Sequence, residues 1–167
     1  DLVVMRLMEP ASKLRSLELL EEYFGVSYHR QGFYRTLKAC VLKKDAVEQQ
    51  IVTVAKQHFG FDFTVVFYDV TTLYFESFSP DDLRKPGFSK DNKSNQPQIV
   101  IGLVVTPEGF PVAYEIFAGN TFEGNTFIPV IVALKKKHRI ETLTVVADAA
   151  MISHKNIEEL TKNGLRY

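Results

Sequence analysis

Residues 65–77 read VVFYDVTTLYFES, and the fold class turns on the acid inside them. β-branched and aromatic residues fill most of the stretch, as in a strand. Alternation sends Val65, Phe67, Asp69 and Thr71 to one face and Val66, Tyr68 and Val70 to the other. Both faces are apolar, so the strand is expected to be central, with a layer on each side. Asp69 is anomalous there. An ionised carboxylate in an apolar core costs on the order of several kcal/mol unless a partner or water reaches it.

Downstream, IVIGLVV (99–105) and PVAYEIF (111–117) flank Thr106-Pro107-Glu108-Gly109. Pro at the second and Gly at the fourth turn position predict an antiparallel hairpin. Between the first strand and this hairpin lies SFSPDDLRKPGFSKDNKSNQPQ (77–98), too long for a tight turn and of the kind that carries function. GNTFEGNT (119–126) leads into a helix with Phe127, Val130, Ile131 and Leu134 on one face, Pro129 being tolerated in its first turn. The helix leaves through KKKHR (135–139), where cations complement the helix dipole or offer a DNA contact. LTVVAD (143–148) is a second strand apolar on both faces. Ser153 can cap a helix with Ile157 and Leu160 facing inward, Asn163-Gly164 can stop it, and Leu165–Tyr167 begin another strand.

Upstream, residues 12–59 read as helices. Leu14, Leu17, Leu20 and Phe24 form one stripe, ended by Gly25; Phe33, Leu37, Cys40 and Val41 form a second. A third helix starts at Asp45, capped by that side chain with Glu48 reaching back, and carries Val47, Ile51, Val54, Ala55 and His58 to Gly60.

Composition bounds the function. The 167 residues are 46% apolar, enough for one core, and 20 basic residues balance 20 acidic ones, so any nucleic-acid site must be a local patch. Cys40 is the single cysteine, which excludes an intrachain disulfide and suits a reducing compartment. No apolar run approaches the roughly 20 residues of a membrane span, and no signal-peptide pattern opens the chain.

Both central strands end in an acid, Asp69 and Asp148. If the first three strands form a meander and the helix lays the fourth parallel beside the first, the carboxylates meet at strand ends, repelling and partly desolvated. A hard divalent cation, Mg²⁺ or Mn²⁺, would relieve both costs. The residues alone leave open two other readings. Each aspartate could cap a turn, or Asp-Val-Thr-Thr (69–72) could be the nucleophile loop of a haloacid-dehalogenase-like phosphohydrolase, although Thr71 replaces that loop's second acid and the sheet of such enzymes is parallel.

FYDVTTLYFES, GFSKDNKSNQPQIVIGL, GNTFEGNT and VVADAAMISHKNIEEL followed by NGLRY resemble, in that order, the catalytic core of bacterial insertion-sequence transposases of the DDE class. The resemblance covers residues 61–167; residues 1–60 would be a helical N-terminal segment. It implies an α/β, ribonuclease H-like mixed sheet, an antiparallel three-strand meander plus a parallel strand, flanked by helices. It also implies Asp69 and Asp148 as catalytic metal ligands for Mg²⁺ or Mn²⁺, and DNA cleavage and strand transfer at element ends. The family's partners would be terminal-repeat and target DNA, met by a homodimer in a bacterial cytoplasm near the nucleoid. Asn120, Thr121 and Glu123 match the family's Asn-Thr-x-Glu turn, and Ser89 and Lys90 its Ser-Lys-Asp block, with Lys90 and Lys93 as candidate phosphate contacts. Ala149-Ala150 stand where many relatives have Arg-Gly. The third acid of the family is a Glu on a helix beyond the strand that begins near Leu165; Glu158 and Glu159 sit one strand too early. A C-terminally truncated, catalytically incomplete core is therefore expected, the remaining alternative being a non-catalytic DNA- or protein-interaction remnant.

Overall fold

A computed structural model describes residues 1–77, 79–89, 93 and 95–167, Ala150 by its backbone alone. Four strands make one mixed sheet: β1 (Val65–Tyr74), β2 (Gln98–Val105), β3 (Pro111–Ala118) and β4 (Thr144–Ala147), in the order β3-β2-β1-β4. β1, β2 and β3 run antiparallel in turn, and β4 pairs parallel with β1. This is the expected mixed α/β sheet, a meander plus one parallel strand. The Thr106–Gly109 turn closes as predicted, with the Gly109 amide donating to the Thr106 carbonyl at 2.9 Å and Gly109 at φ +82°. At the other edge Arg166 bridges Thr144 in parallel, the expected beginning of a further strand.

The chain divides into two compact units, Asp1–Val47 and Glu48–Tyr167. The first holds α1 (Leu2–Met8), α2 (Lys13–Phe24) and α3 (Arg30–Val41). Helix α1 precedes the predicted helical stretch and was not legible from periodicity. Ser12 caps α2 by accepting from the Arg15 amide, and Gly25 ends it at φ +63°. The stripes differ from expectation. In α2 the buried residues are Ser16, Leu19 and Leu20, the two leucines forming a small core with Met5, while Leu14 and Phe24 are exposed. In α3 Phe33 alone is buried, and Cys40 and Val41 are exposed. Helix α4 (Lys44–Phe59) begins one residue early, so Asp45 sits inside its first turn rather than at the cap. Its buried face is Glu48, Val52 and Ala55, and Gly60 follows it at φ +64°.

In the second unit α5 (Phe127–His138) buries Phe127, Val130, Ile131 and Leu134, the four residues expected. They join Val52 and Ala55 of α4, Leu160 of α6 (His154–Lys162), and Val66, Tyr68, Val104 and Val145 of the sheet in one core. Each such aliphatic side chain contributes about 1.5–3 kcal/mol on full burial. Ser153 caps α6 by accepting from the Asn156 amide at 3.2 Å, and Gly164 follows its end at φ +61°.

The expectation of two central strands covered on both faces is corrected. β1 is internal, but β4 ends the four-strand order with only the Arg166 bridge beyond it, and among the described residues only one sheet face is covered. Phe67 is 39% exposed and Val146, its register partner, 42% exposed, with Leu73, Leu103 and Ile116 also exposed on that face. The helices of this unit pack their apolar stripes on the Val66–Tyr68 side, so residues one position along the pleat reach solvent.

Candidate active site

Parallel pairing sets the geometry. Tyr68 and Ala147 are Cα partners at the end of the parallel ladder, so Asp69 and Asp148 are the next residue along each of two neighbouring strands. Asp148 keeps an extended backbone (φ −63°, ψ 148°), and alternation then sends both carboxylates to the open face. Both residues are exposed. The partial desolvation expected for the pair is thus absent, because the open face gives each carboxylate water. No ion pair within the described residues joins either one. Two adjacent carboxylates with unshared oxygen lone pairs form a hard donor set, which fits Mg²⁺ or Mn²⁺. Among the described residues no group of three His, Cys, Asp or Glu lies close enough to hold a metal.

Two 3₁₀ turns pack against each other at this end of the sheet. One, Ala149–Met151, follows Asp148 directly, its Met151 amide donating to the Asp148 carbonyl at 2.9 Å. The other, Glu123–Asn125, carries Glu123 into α5. Glu123 and Thr121 line a cavity of about 380 Å³ with Thr72, Phe88, Gln98, Val100, Gly119 and Phe122. Thr72 and Val100 alternate onto the covered side of the sheet, whereas Asp69 is on the open side, so Glu123 is not grouped with the aspartates. Asn120 is exposed in the turn after β3.

The described residues of the long polar segment fold back on the sheet. Lys85 bridges Gln98, the Gly119 amide donates to the Leu83 carbonyl at 2.9 Å, and the Gln98 Nε2 donates to the Phe88 and Gly119 carbonyls at 3.0 and 2.8 Å. Ser89 shares a 2.9 Å hydrogen bond with the Tyr74 hydroxyl, and its Oγ accepts from the Lys93 amide at 2.9 Å. The Lys93 ammonium lies 5.2 Å from the Tyr74 ring centroid. Lys90 lies outside the described residues. Two of the lysines of KKKHR serve the fold: Lys135 donates to the Asn163 and Gly164 carbonyls at 3.1 and 2.8 Å, and Lys137 pairs with buried Glu48 at 2.7 Å. Glu48 also accepts from the Tyr114 amide of edge strand β3 at 3.3 Å. The cationic exit of α5 is thereby tied to α4 and to the chain just after α6, the structural alternative to a DNA patch.

The antiparallel β1-β2-β3 arrangement disagrees with the parallel sheet of the phosphohydrolase reading. No helix among the described residues is long and apolar enough to cross a membrane.

Residues 60–167 match the family model described as "Transposase DDE domain". No protein of curated function matches the chain significantly. Among solved structures the chain is similar to a Mos1 transposase paired-end complex with left transposon end, at 13% identity and a TM-score of 0.42, covering 99% of this chain and 56% of that one. It is similar to a Mos1 mariner paired-end complex with Mn at 12% identity and a TM-score of 0.40, covering 99% and 56%. The catalytic domain of Mos1 mariner transposase follows at 10% identity and 0.38, covering 74% and 57%. The chain thus spans a little over half the length of these relatives.

Proposed function

This chain belongs to the transposase DDE-domain family, and from that premise we propose that Asp69 and Asp148 hold a divalent cation for phosphodiester cleavage and strand transfer at the ends of a mobile DNA element. The observation that supports this reading is the register of β1 and β4, in which Tyr68 pairs with Ala147 and each is followed by an exposed aspartate. Mg²⁺ or Mn²⁺, when bound, supplies a Lewis acid that offsets charge on the phosphate and activates the attacking oxygen. The residues of the chain orient that chemistry. Strand β1 holds Asp69, and the end of β4 together with the turn that follows it holds Asp148. Lys93 contacts phosphate in this reading, Asn120 and Thr121 support the site, and Glu123 serves the entry into α5, positioning DNA being its alternative role. The protein acts on terminal repeats and target DNA as a homodimer.

Two carboxylates bind a divalent cation weakly, so residues 1–167 alone are expected to bind Mn²⁺ with low affinity and to cleave DNA poorly. Mn²⁺ titration followed by electron paramagnetic resonance tests the reading. Asp69→Asn or Asp148→Asn should weaken binding more than about 100-fold, beyond the usual cost of losing a supporting residue. Equal binding by wild type and both variants would sink the metal role and leave the interaction-remnant reading. Release of phosphate from small phosphoesters would support the phosphohydrolase instead.

A further inference from the structure

Two 3₁₀ turns, Ala149–Met151 directly after Asp148 and Glu123–Asn125 before α5, are joined underneath by side chains that play no part in the reading above. Asn156 of α6 is 7% exposed, and its Nδ2 donates to the Gly124 carbonyl at 2.9 Å and to the Met151 carbonyl at 2.7 Å. One amide thus spends two donors on two turns, the one that carries Glu123 and the one that follows Asp148. A second tie begins on β1. The hydroxyl of buried Tyr68, the residue before Asp69, donates to Thr126 Oγ1 at 2.8 Å, and Thr126 Oγ1 donates to the Glu123 carbonyl at 2.6 Å. Thr126 is fully buried. Gly102 on β2 leaves room for this contact, since a Cβ there would lie 2.2 Å from the Tyr68 hydroxyl.

The bonds form a continuous path from β1 through Tyr68, Thr126 and the Glu123–Asn125 turn to Asn156, and on to the turn after Asp148. Every side chain on it is buried, so none is held by solvent, and each donor has a carbonyl or hydroxyl to meet. β4 ends at Ala147, one residue before Asp148, so the sheet ladder does not extend to the second aspartate. Its position depends on the turn that follows. Asparagine suits that position because it is short, uncharged and carries two divergent donors, whereas serine has one donor and aspartate none.

We propose that Asn156, with Thr126 and Tyr68, is a positioning residue that holds Asp148 and the Glu123 turn in register with Asp69 for metal binding. The proposal rests on the metal reading of the two aspartates. It is tested by Mn²⁺ affinity, measured by electron paramagnetic resonance on the whole chain, for Asn156→Ala, the near-isosteric Asn156→Leu, Thr126→Val and Ser153→Ala, with Asp148→Asn as reference. Ser153→Ala removes the cap of the same helix, a bond to the Asn156 backbone amide, while both Asn156 side-chain bonds stay in place. We expect the two Asn156 variants, and Thr126→Val less strongly, to bind Mn²⁺ about 10–100-fold more weakly, as for supporting residues elsewhere. Ser153→Ala should stay within about twofold of wild type while it remains folded by circular dichroism. If Asn156→Ala does not fold, Asn156→Leu and Thr126→Val decide. Wild-type affinity in a folded Asn156→Leu, or an equal loss in Ser153→Ala, overturns the positioning role while full loss in Asp148→Asn leaves the metal reading intact. Retention of binding by Asp148→Asn overturns the metal reading and this proposal with it.

Discussion

The two faces of β1 are built from neighbouring residues and behave differently. Val66 and Tyr68 point into the core beneath α4 and α5, while Phe67 and Asp69, each one residue further on, point to solvent. The covered face supplies stability, and the open face holds the aspartate pair. Asp69 therefore tolerates its apolar surroundings because water reaches it, not because a partner neutralises it.

That contrast can be broken most strongly from the covered side. Phe127→Ala should lower the unfolding free energy by about 3–5 kcal/mol in urea denaturation, the cost of a large cavity, whereas Phe67→Ala should cost under about 1 kcal/mol. Equal losses would mean that the open face is covered in solution. Gly102→Ala comes next. Its Cβ would meet the Tyr68 hydroxyl, so a loss of about 1–3 kcal/mol is expected, reduced in a Tyr68→Phe background. Additive losses in that double-mutant cycle would mean that the ring carbons, 2.8 and 2.9 Å from that Cβ, and not the hydroxyl carry the clash.

His138, at the end of α5, sharpens the comparison through pH. Its Nε2 is buried and has no partner among the described residues, and burial, helped by Lys137 and Lys56 and opposed by Glu48, lowers its pKa from the ordinary 6.5. The unfolded chain then takes up the proton more readily than the native one. The contribution of His138 to stability is complete above about pH 6.5 and is lost as pH falls from there through the lowered native value. His138→Gln should flatten that part of a thermal-melting pH profile; an unchanged slope would exclude the residue. The smallest effect belongs to the open face. Asp69→Asn should leave metal-free stability unchanged or raise it by a few tenths of a kcal/mol, since it removes a like charge beside Asp148. A loss of about 1 kcal/mol or more would identify Asp69 as a structural acid.

Much of the second unit was legible beforehand because its patterns are local. The Pro-Glu-Gly turn specified the hairpin, the 3.6-residue period specified the inward face of α5, and Ser153 with Asn163-Gly164 bounded α6. The short helices of the first unit were harder. Apolar residues occur around much of their circumference, and which stripe is buried depends on partners that periodicity does not name. Asn156 had one available signal, a polar residue four positions before Leu160 on the inward side of α6. What it binds could not be inferred, since Gly124 and Met151 contribute only backbone carbonyls.

By itself the sequence determined most of the helices and strands, the hairpin of β2 and β3, and the two acids at strand ends, because hydrophobic period and turn chemistry act over a few residues; the parallel fourth strand entered as a supposition and with the family resemblance. Tertiary structure alone decided which sheet face stays open, that Asp69 and Asp148 emerge on it together, and that Asn156 ties the two 3₁₀ turns together. Those outcomes depend on which helices find the sheet and on hydrogen bonds between residues far apart in the chain, which no local pattern encodes.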